Sequence, residues 1–417
     1  MVLAVATFAI ALALIASERF DRTKVALLGA AVVVVLGVID QHHAVEAIEF
    51  EALGLLAGMM ICVRLTETTG VFTYVAIRAG QLSRGRPLVL VLILALATGL
   101  LSAFLDNLTT ILLMVPITFL LADVLDIDPV PLLIVEVLAS NIGGTATLIG
   151  DPPNILIGAA TGLSFGAFLQ HLAPVAWFTL IVVVLGLYVV YRGQLQIQPE
   201  ARGRLAELDA DGAIEDRDEL RRVGPVLLIV IAAFFVHSLI GIEPATVALA
   251  GASVMLAVSR QSLERTLAGI DWPTLFFFLG LFVMVGALEE TEAISELADA
   301  LIAATGGDRT IELLAISWFA AFAGGIVDNI PLTATMIPVV EEIAGDSGDD
   351  AYWWVLALGA CFGGNLTLIS AAAHVAAAGM ADRAGRPIGF VRFLKIGVPV
   401  TFVSMLIVTG YILLRYA

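Results

Sequence analysis

Long apolar runs separated by short polar joints dominate this chain. Runs near 2–17, 24–40, 51–66, 88–104, 107–122, 131–160 and 172–192 read as helices, and a similar series resumes at 225. The first run lacks a basic leader and a small-residue cleavage site, so it reads as a helix and not as a signal peptide. One long polar stretch, Gln194 to Arg222, carries Arg202, Arg204, Arg217, Arg221 and Arg222 among eight acids and reads as a solvated connector. The pattern predicts an all-α polytopic membrane protein. Its parts are a first transmembrane repeat, 1–193, a connector, 194–223, and a second repeat, 224–417.

The two series are copies. Gly29, Gly58, Asp106, Asn107 and Pro116 recur 222 residues later as Gly251, Gly280, Asp328, Asn329 and Pro338. The offset becomes 220 for Gly143 and Gly144 against Gly363 and Gly364, and 225 for Pro174 against Pro399, with the slips confined to polar joints. Each half reads as three helices, a short amphipathic piece (71–83, 293–304), a pair of helices too short to span comfortably, an interrupted helix and a last helix. That is an odd number of crossings whether the short pair spans twice or re-enters, so the expected fold is an inverted repeat of two five-helix halves. Basic residues agree: an outside N-terminus puts 19 Lys and Arg on one face and only Arg309 and Arg415 on the other. This predicts a multi-pass plasma-membrane protein with both termini outside and a cytoplasmic connector.

Composition narrows the function. The chain is 60% hydrophobic and 14% charged, leaving no room for a large soluble domain. Lysine occurs only at Lys24 and Lys395, neither in a phosphate-binding Gly-Lys loop, so no ATPase engine lies within the chain. Transport must use an ion gradient or a separate subunit, and an ATPase subunit is not required. Cys62 and Cys361 make neither a disulfide framework nor a Cys-rich metal site. A net charge of -17 argues against nucleic acid as a partner and suits an acidic surface bathed in salt. No cofactor is expected beyond a coupling ion, a proton or sodium.

The chemistry concentrates in four stretches. Each short pair has Asp-Asn and hydroxyls at its junction: Asp106, Asn107, Thr109 and Thr110 in the first, Asp328, Asn329, Thr333 and Thr335 in the second. The second helix of each pair starts there, so free N–H groups and a positive dipole end point into the junction. A helix N-cap is the competing reading for each aspartate. Two equivalent copies in the most apolar part of the chain favour function, because an intramembrane carboxylate is costly. The interrupted helices read Ser140 to Asn154 and Ala360 to His374. Gly143-Gly144, Pro152-Pro153 and Gly363-Gly364 break them and free carbonyls for a cation, with Asn141, Thr145, Thr147, Asn365 and Thr367 adding neutral oxygens. A plain kink is the alternative. The halves differ electrically: Asp151 stands opposite Ala371, Asn154 opposite His374, and Glu136 opposite Leu356. Asp151 is a ligand, a proton carrier or a turn residue before Pro-Pro; Glu136 is a proton carrier or a hydrogen-bonded structural acid. His374 either titrates or sits buried and neutral, and His237 reads as structural.

The strings FLDNLTTILLMVP, SNIGGTATLIGDPPN, DNIPLTATMIP and GACFGGNLTLI resemble the ion transporter superfamily. Their pattern is most similar to the branch of citrate-transporter-like permeases that holds the melanosomal P protein, the arsenite/antimonite pumps and sodium/proton antiporters. The resemblance runs from about Lys24 to the C-terminus, interrupted at the connector. It implies two opposed re-entrant hairpins with tips at Asp106-Asn107 and Asp328-Asn329, meeting the unwound stretches 143–154 and 363–374 near the bilayer centre. It also implies a homodimer with a scaffold and a moving transport domain, and sodium sites at Asp106, Asn107 and Gly143 and at Asp328, Asn329 and Asn365. Two departures stand out. The divalent anion/sodium symporters carry Ser-Asn-Thr at the tips, where this chain has Asp-Asn, and the added carboxylate repels an anion and favours a cation or proton. The family's Gly-Ala-Ser-Ala-Asn in the second unwound stretch is here Ser370 to His374. The expected function is therefore ion-coupled secondary transport, cation (sodium)/proton antiport by alternating access. Arsenite or antimonite efflux is the alternative, with anion or dicarboxylate transport and a passive channel behind it. An intramembrane hydrolase is disfavoured, because neither a GxGD context nor HExxH is present, so no catalytic residue is expected.

Overall fold

Because no water reaches a lipid core, a spanning chain must satisfy its backbone internally, and the structure does so with helices alone. The computed structural model describes residues 1–17, 19–291, 293–345 and 348–416, and among them there is no strand. Glu292, Asp346 and Ser347, which an outside N-terminus puts on the outer face, lie outside the described residues.

The first half runs α1 (Val2–Ala16), α2 (Arg22–Val35), α3 (Gln41–Glu46), α4 (Phe50–Glu67), α5 (Val71–Leu82), α6 (Pro87–Ser102), α7 (Asn107–Leu125), α8 (Val130–Gly144), α9 (Pro152–Thr161), α10 (Phe165–His171) and α11 (Ala173–Tyr191). After α12 (Pro199–Ala206), the second half repeats the order. It comprises α13 (Arg217–Val236), α14 (Pro244–Val258), α15 (Leu263–Ala268), α16 (Trp272–Glu289), α17 (Ala293–Thr305), α18 (Arg309–Val327), α19 (Asn329–Ala344), α20 (Ala351–Gly363), α21 (Ala372–Arg383) and α22 (Phe390–Arg415). Among the described residues six helices are long and apolar enough to cross a membrane, namely α7, α11, α13 with the turn after it, α16, α18 and α22. Leu28, Leu100, Phe178, Leu228, Leu239 and Leu406 are exposed on the outside of the bundle, where lipid would cover them.

Two clusters make up the molecule. In one, α2 packs on α16 and α4 on α14; in the other, the α6–α9 and α18–α21 segments interlock through α7 with α21 and α9 with α19. Glycine sets the closest crossings. A methyl group on Gly58 would lie 2.7 Å from the Ala248 carbonyl carbon and 2.8 Å from the Leu249 nitrogen. A methyl on Gly280 would lie 2.6 Å from the Ala26 carbonyl carbon and 2.8 Å from the Leu27 nitrogen. Each partner in the second contact is 222 residues from its counterpart in the first, so one contact is made twice with the halves exchanged.

Several expectations are corrected. The paired helices are not uniformly short: α7 and α18 each have 19 residues, because α7 runs on beyond Pro116 and α18 begins at Arg309. The connector is neither wholly solvated nor continuous to 223, since α13 begins at Arg217 and Leu195, Ile197, Ala201, Leu205 and Ala210 are buried. Gln81 Nε2 donates to Leu208 O at 2.8 Å, Arg204 Nε to Val124 O at 3.0 Å, and Glu215 N to Thr69 O at 3.0 Å, which fixes the connector against the first half. Gly70, with φ +77°, lets the α5 start approach the Ala213 carbonyl, a place no side chain would fit.

Gly143 and Gly363 also play another part than carbonyl release. Gly143 abuts the Gly99 backbone and Gly363 the Ala321 backbone, sealing α8 on α6 and α20 on α18, while their carbonyls accept from Ala146 N at 3.0 Å and Leu366 N at 2.9 Å. Gly143→Val or Gly363→Val should consequently lose folded protein before it changes ion affinity. Forcing backbones apart in a close-packed crossing costs about 1–3 kcal/mol or more. Thermal unfolding in detergent checks this; a normal melting temperature with weakened ion affinity would restore the original reading.

Candidate functional site between the hairpin tips

Asp106 starts α7 and accepts from Thr109 N at 2.8 Å and from Thr109 Oγ1 at 2.5 Å. Asp328 starts α19 and accepts from Ile330 N at 2.9 Å through Oδ1. Its backbone takes φ 151°, a region that disfavours a non-glycine residue, and the second tip is held in that conformation by the surrounding structure. Both aspartates cap helices, yet the first unwound stretch brings a third carboxylate to the same place. A narrow cavity of about 50 Å³ is lined by Asp106, Asn107, Asp151, Asn329, Asp271 and Arg22, among others. Two larger clefts of about 450 and 290 Å³ adjoin it, one reaching Arg22 and Asp328, the other Arg64, Glu67, Asp106 and Asp271.

The breaks fall between α8 and α9, at 145–151, and between α20 and α21, at 364–371. Gly144 and Gly364, the second glycine of each pair, are the ones that face the tips, not Gly143 and Gly363. A methyl on Gly144 would lie 2.5 Å from Asn107 Oδ1, and one on Gly364 would lie 2.6 Å from Asn141 Nδ2 and 3.2 Å from Asn329 Nδ2. Asn107 Nδ2 donates to Asn141 Oδ1 at 2.9 Å, and Ser102 Oγ donates to Asn107 Oδ1 at 2.5 Å. Thr145 and Thr333 turn their hydroxyls to the carbonyls four residues back, Asn141 O at 2.8 Å and Asn329 O at 2.7 Å. Thr147 donates to Ala103 O and Thr367 to Gly325 O, equivalent bonds that staple each unwound stretch to its own tip. Asn154 Nδ2 gathers the carbonyls of Thr145 and Thr147 at 3.0 and 2.8 Å; across the repeat His374 places Nδ1 3.2 Å from Thr367 O.

Several polar atoms of the first tip's helix and of the interrupted helices are left unpaired. Among buried side-chain atoms without a hydrogen-bond partner are Thr110 Oγ1, Asn141 Nδ2, Asp151 Oδ2, both amide atoms of Asn365 and His374 Nε2. Orphaned buried polar groups are rare in native proteins, and a cluster of them marks a place built for something else. Asp151 is the clearest case. It stands at the α9 N-cap, yet its side chain makes no cap bond; it is 1% exposed and near Asn107, Asn329 and Cys361. Among the described residues no three His, Cys, Asp or Glu side chains cluster as a metal centre would. A cation at this place would be held by a mixture of carboxylate, amide and backbone oxygens.

Glu136 is not brought to the cavity. Both its oxygens accept from Thr118 Oγ1, at 2.6 and 2.7 Å, deep between α7 and α8. His237 also lies elsewhere, accepting from Phe165 N at 3.2 Å and bonding Ile242 O at 2.8 Å. The pattern reading missed Arg22, Asp271 and Thr274. Asp271 caps α16 by accepting from Thr274 N at 3.2 Å and Thr274 Oγ1 at 2.6 Å, and the Asp-x-x-Thr spacing before an apolar run was a legible cap signal. That this cap faces the first hairpin tip was not legible.

A profile described as "Citrate transporter" matches residues 12–359. The chain belongs to the citrate transporter family. An uncharacterized transporter of Mycobacterium tuberculosis is 44% identical over the whole chain and 98% of its own length. The mouse P protein is 34% identical over 99% of this chain, which spans 60% of that protein's length. The crystal structure of the YdaH transporter of Alcanivorax borkumensis superposes with a TM-score of 0.58 at 15% identity, covering 88% of this chain and 86% of that one, a likeness of fold. This chain is accordingly a multi-pass membrane transporter and not an enzyme.

Proposed function

We propose that the protein is an ion-coupled secondary transporter that exchanges a cation, sodium first, for protons by alternating access. The observation that carries this is the buried Asp151 carboxylate, one oxygen of which has no partner, in a cavity with Asp106, Asn107 and Asn329 and close to Asp328. An acidic, amide-rich cavity accepts either a dehydrated cation or protons and repels anions. The cluster of α2, α4, α14 and α16 serves as scaffold, and the interlocked hairpins and broken helices as the moving body. The exchanged glycine contact supports halves inverted in the membrane: Gly54 meets Ala245 and Gly58 meets Ala248, so α4 runs parallel to α14, the counterpart of the preceding span α2. A homodimer in the plasma membrane, with both termini outside, belongs to the same reading.

Citrate transport is the second reading. It is favoured by the family's description and by Arg22 and Arg64, which give the two flanking clefts a cation each. Flux in proteoliposomes against sodium, lithium, potassium, arsenite, citrate and chloride, with a pH dye inside, separates the readings. Sodium-driven proton movement without citrate uptake supports antiport, and saturable citrate uptake would overturn it.

Orientation has its own test. Ala210 is buried against the first half and makes a poor labelling site, whereas Ala206 in the connector and Ala304 in α17 are exposed. Cysteine at Ala206 should label only from the cytoplasm and cysteine at Ala304 only from outside; labelling of both from one side would remove the inversion.

A further inference from the structure

We infer that Arg22 is a built-in substitute for the transported cation at Asp328, a positioning residue that the incoming cation or proton displaces. The inference rests on the cation/proton reading and adds a residue and an order of events to it. It starts from a difference between the two tips. Asp106 spends both carboxylate oxygens on Thr109, one on its N–H and one on its hydroxyl. The residue equivalent to Thr109 in the second half is Pro331, which has neither donor. Asp328 therefore satisfies only Oδ1, from Ile330 N, and its Oδ2 is left for something else.

Arg22 takes that place. Its Nη1 lies 3.4 Å from Asp328 Oδ2, its Nη2 lies 3.3 Å from Thr274 Oγ1, and its guanidinium carbon stands 5.1 Å from the centre of the Phe277 ring. Only an arginine offers two donors and a flat face at once. The side chain belongs to α2 and the ring to α16, in the scaffold, while Asp328 belongs to the opposite body. The ion pair therefore ties the two bodies together. The other charges near it are all acidic: Asp271, which accepts from Thr274 Oγ1, Asp151, which feels Asp328, and Asp106 across the cavity. Arg22 is the one cation lining this cavity of three carboxylates among the described residues, and it also lines the adjoining cleft that holds Asp328. Its side chain is 24% exposed, bordering the cleft of about 450 Å³, so it has space to withdraw. No arginine mirrors it, because the equivalent position is Pro244, and the two tips are thereby made unequal: among the described residues Asp106 makes no ion pair, Arg64 in the adjoining cleft being paired with Glu67, and Asp328 is held until a cation arrives.

Full-length protein in detergent tests this through an arginine-directed dicarbonyl reagent, read peptide by peptide by mass spectrometry and normalised to exposed Arg84. Asp328→Asn should raise Arg22 modification several-fold. In the wild type, sodium replacing N-methylglucamine at constant ionic strength, or acidification, should raise it to the Asp328→Asn level, and neither should move it further in that variant. Acid neutralises the carboxylate whatever ion is carried. Release by acid without release by sodium would therefore count against sodium and leave the latch standing. Equal modification in wild type and Asp328→Asn would overturn the inference. In flux, Arg22→Gln should tighten apparent sodium affinity roughly tenfold, the effect of removing about 1.4 kcal/mol of competition. Arg22→Lys should fall between the two. Should Arg22→Gln fail to fold, Thr274→Ala removes the second contact, together with the hydroxyl bond to Asp271 but not the backbone cap, and should raise Arg22 modification part-way; an unchanged Arg22 in that variant would also overturn it.

Discussion

Asp151→Asn should abolish sodium-driven proton movement while leaving the protein as stable as the wild type or more so. The two effects have one cause. A carboxylate 1% exposed, with one oxygen unpartnered and no cap bond, contributes nothing to the fold that an amide of the same shape would not. A buried carboxylate with no cation paired to it and one oxygen unpartnered is costly, so removing the charge relieves the native state. Function is lost because no other titratable side chain of the first unwound stretch reaches the cavity. Asn154 points to the Thr145 and Thr147 carbonyls, and Glu136 is held by Thr118. Flux at the level of empty vesicles with an unchanged or raised melting temperature is the expected pair of results. A lowered melting temperature with surviving flux would make Asp151 a structural acid.

The hairpin aspartates should respond unequally. Asn is also a good N-cap, so Asp106→Asn and Asp328→Asn both keep their helix starts. Asp328→Asn removes an exchangeable charge and strands Arg22, and should lose coupling completely with a modest fall in stability, about 1 kcal/mol for a partly exposed ion pair. Asp106→Asn should lose it less completely, because both Asp106 oxygens are engaged by Thr109, whereas Asp151 keeps one unpartnered oxygen and Asp328 turns one to a cation. Proton flux and thermal unfolding measured side by side check the ranking, and identical losses in both variants would mean that the Pro331 asymmetry has no consequence.

Much of this site was legible because the chain states it twice. Asp106-Asn107 and Asp328-Asn329 stand out by recurring at one offset in apolar surroundings, and the breaks at 145–151 and 364–371 fall where paired glycines and prolines put them. Other features were hidden for physical reasons. Which glycine of a pair faces the tip depends on helix rotation, about 100° per residue, so Gly143 and Gly144 exchange roles on a detail that spacing alone does not fix. Arg22 and Asp328 are 306 residues apart, and nothing local to either announces the other. Asp271 reads as a cap and is one; its neighbour across the cavity is set by how α16 docks beside the hairpin. The buried side of the connector escaped notice because its apolar residues, Leu195, Ile197, Ala201, Leu205 and Ala210, are sparse among charges.

The central claim is that the carboxylates at the two tips carry the coupling charge. The most direct measurement is the internal pH of proteoliposomes under an imposed sodium gradient, comparing wild type with the Asp106→Asn, Asp328→Asn double variant at matched folded yield. Sodium-dependent proton movement in the wild type and none in the double variant is the expected result. Undiminished movement in the double variant would contradict the claim and return both aspartates to the role of helix caps.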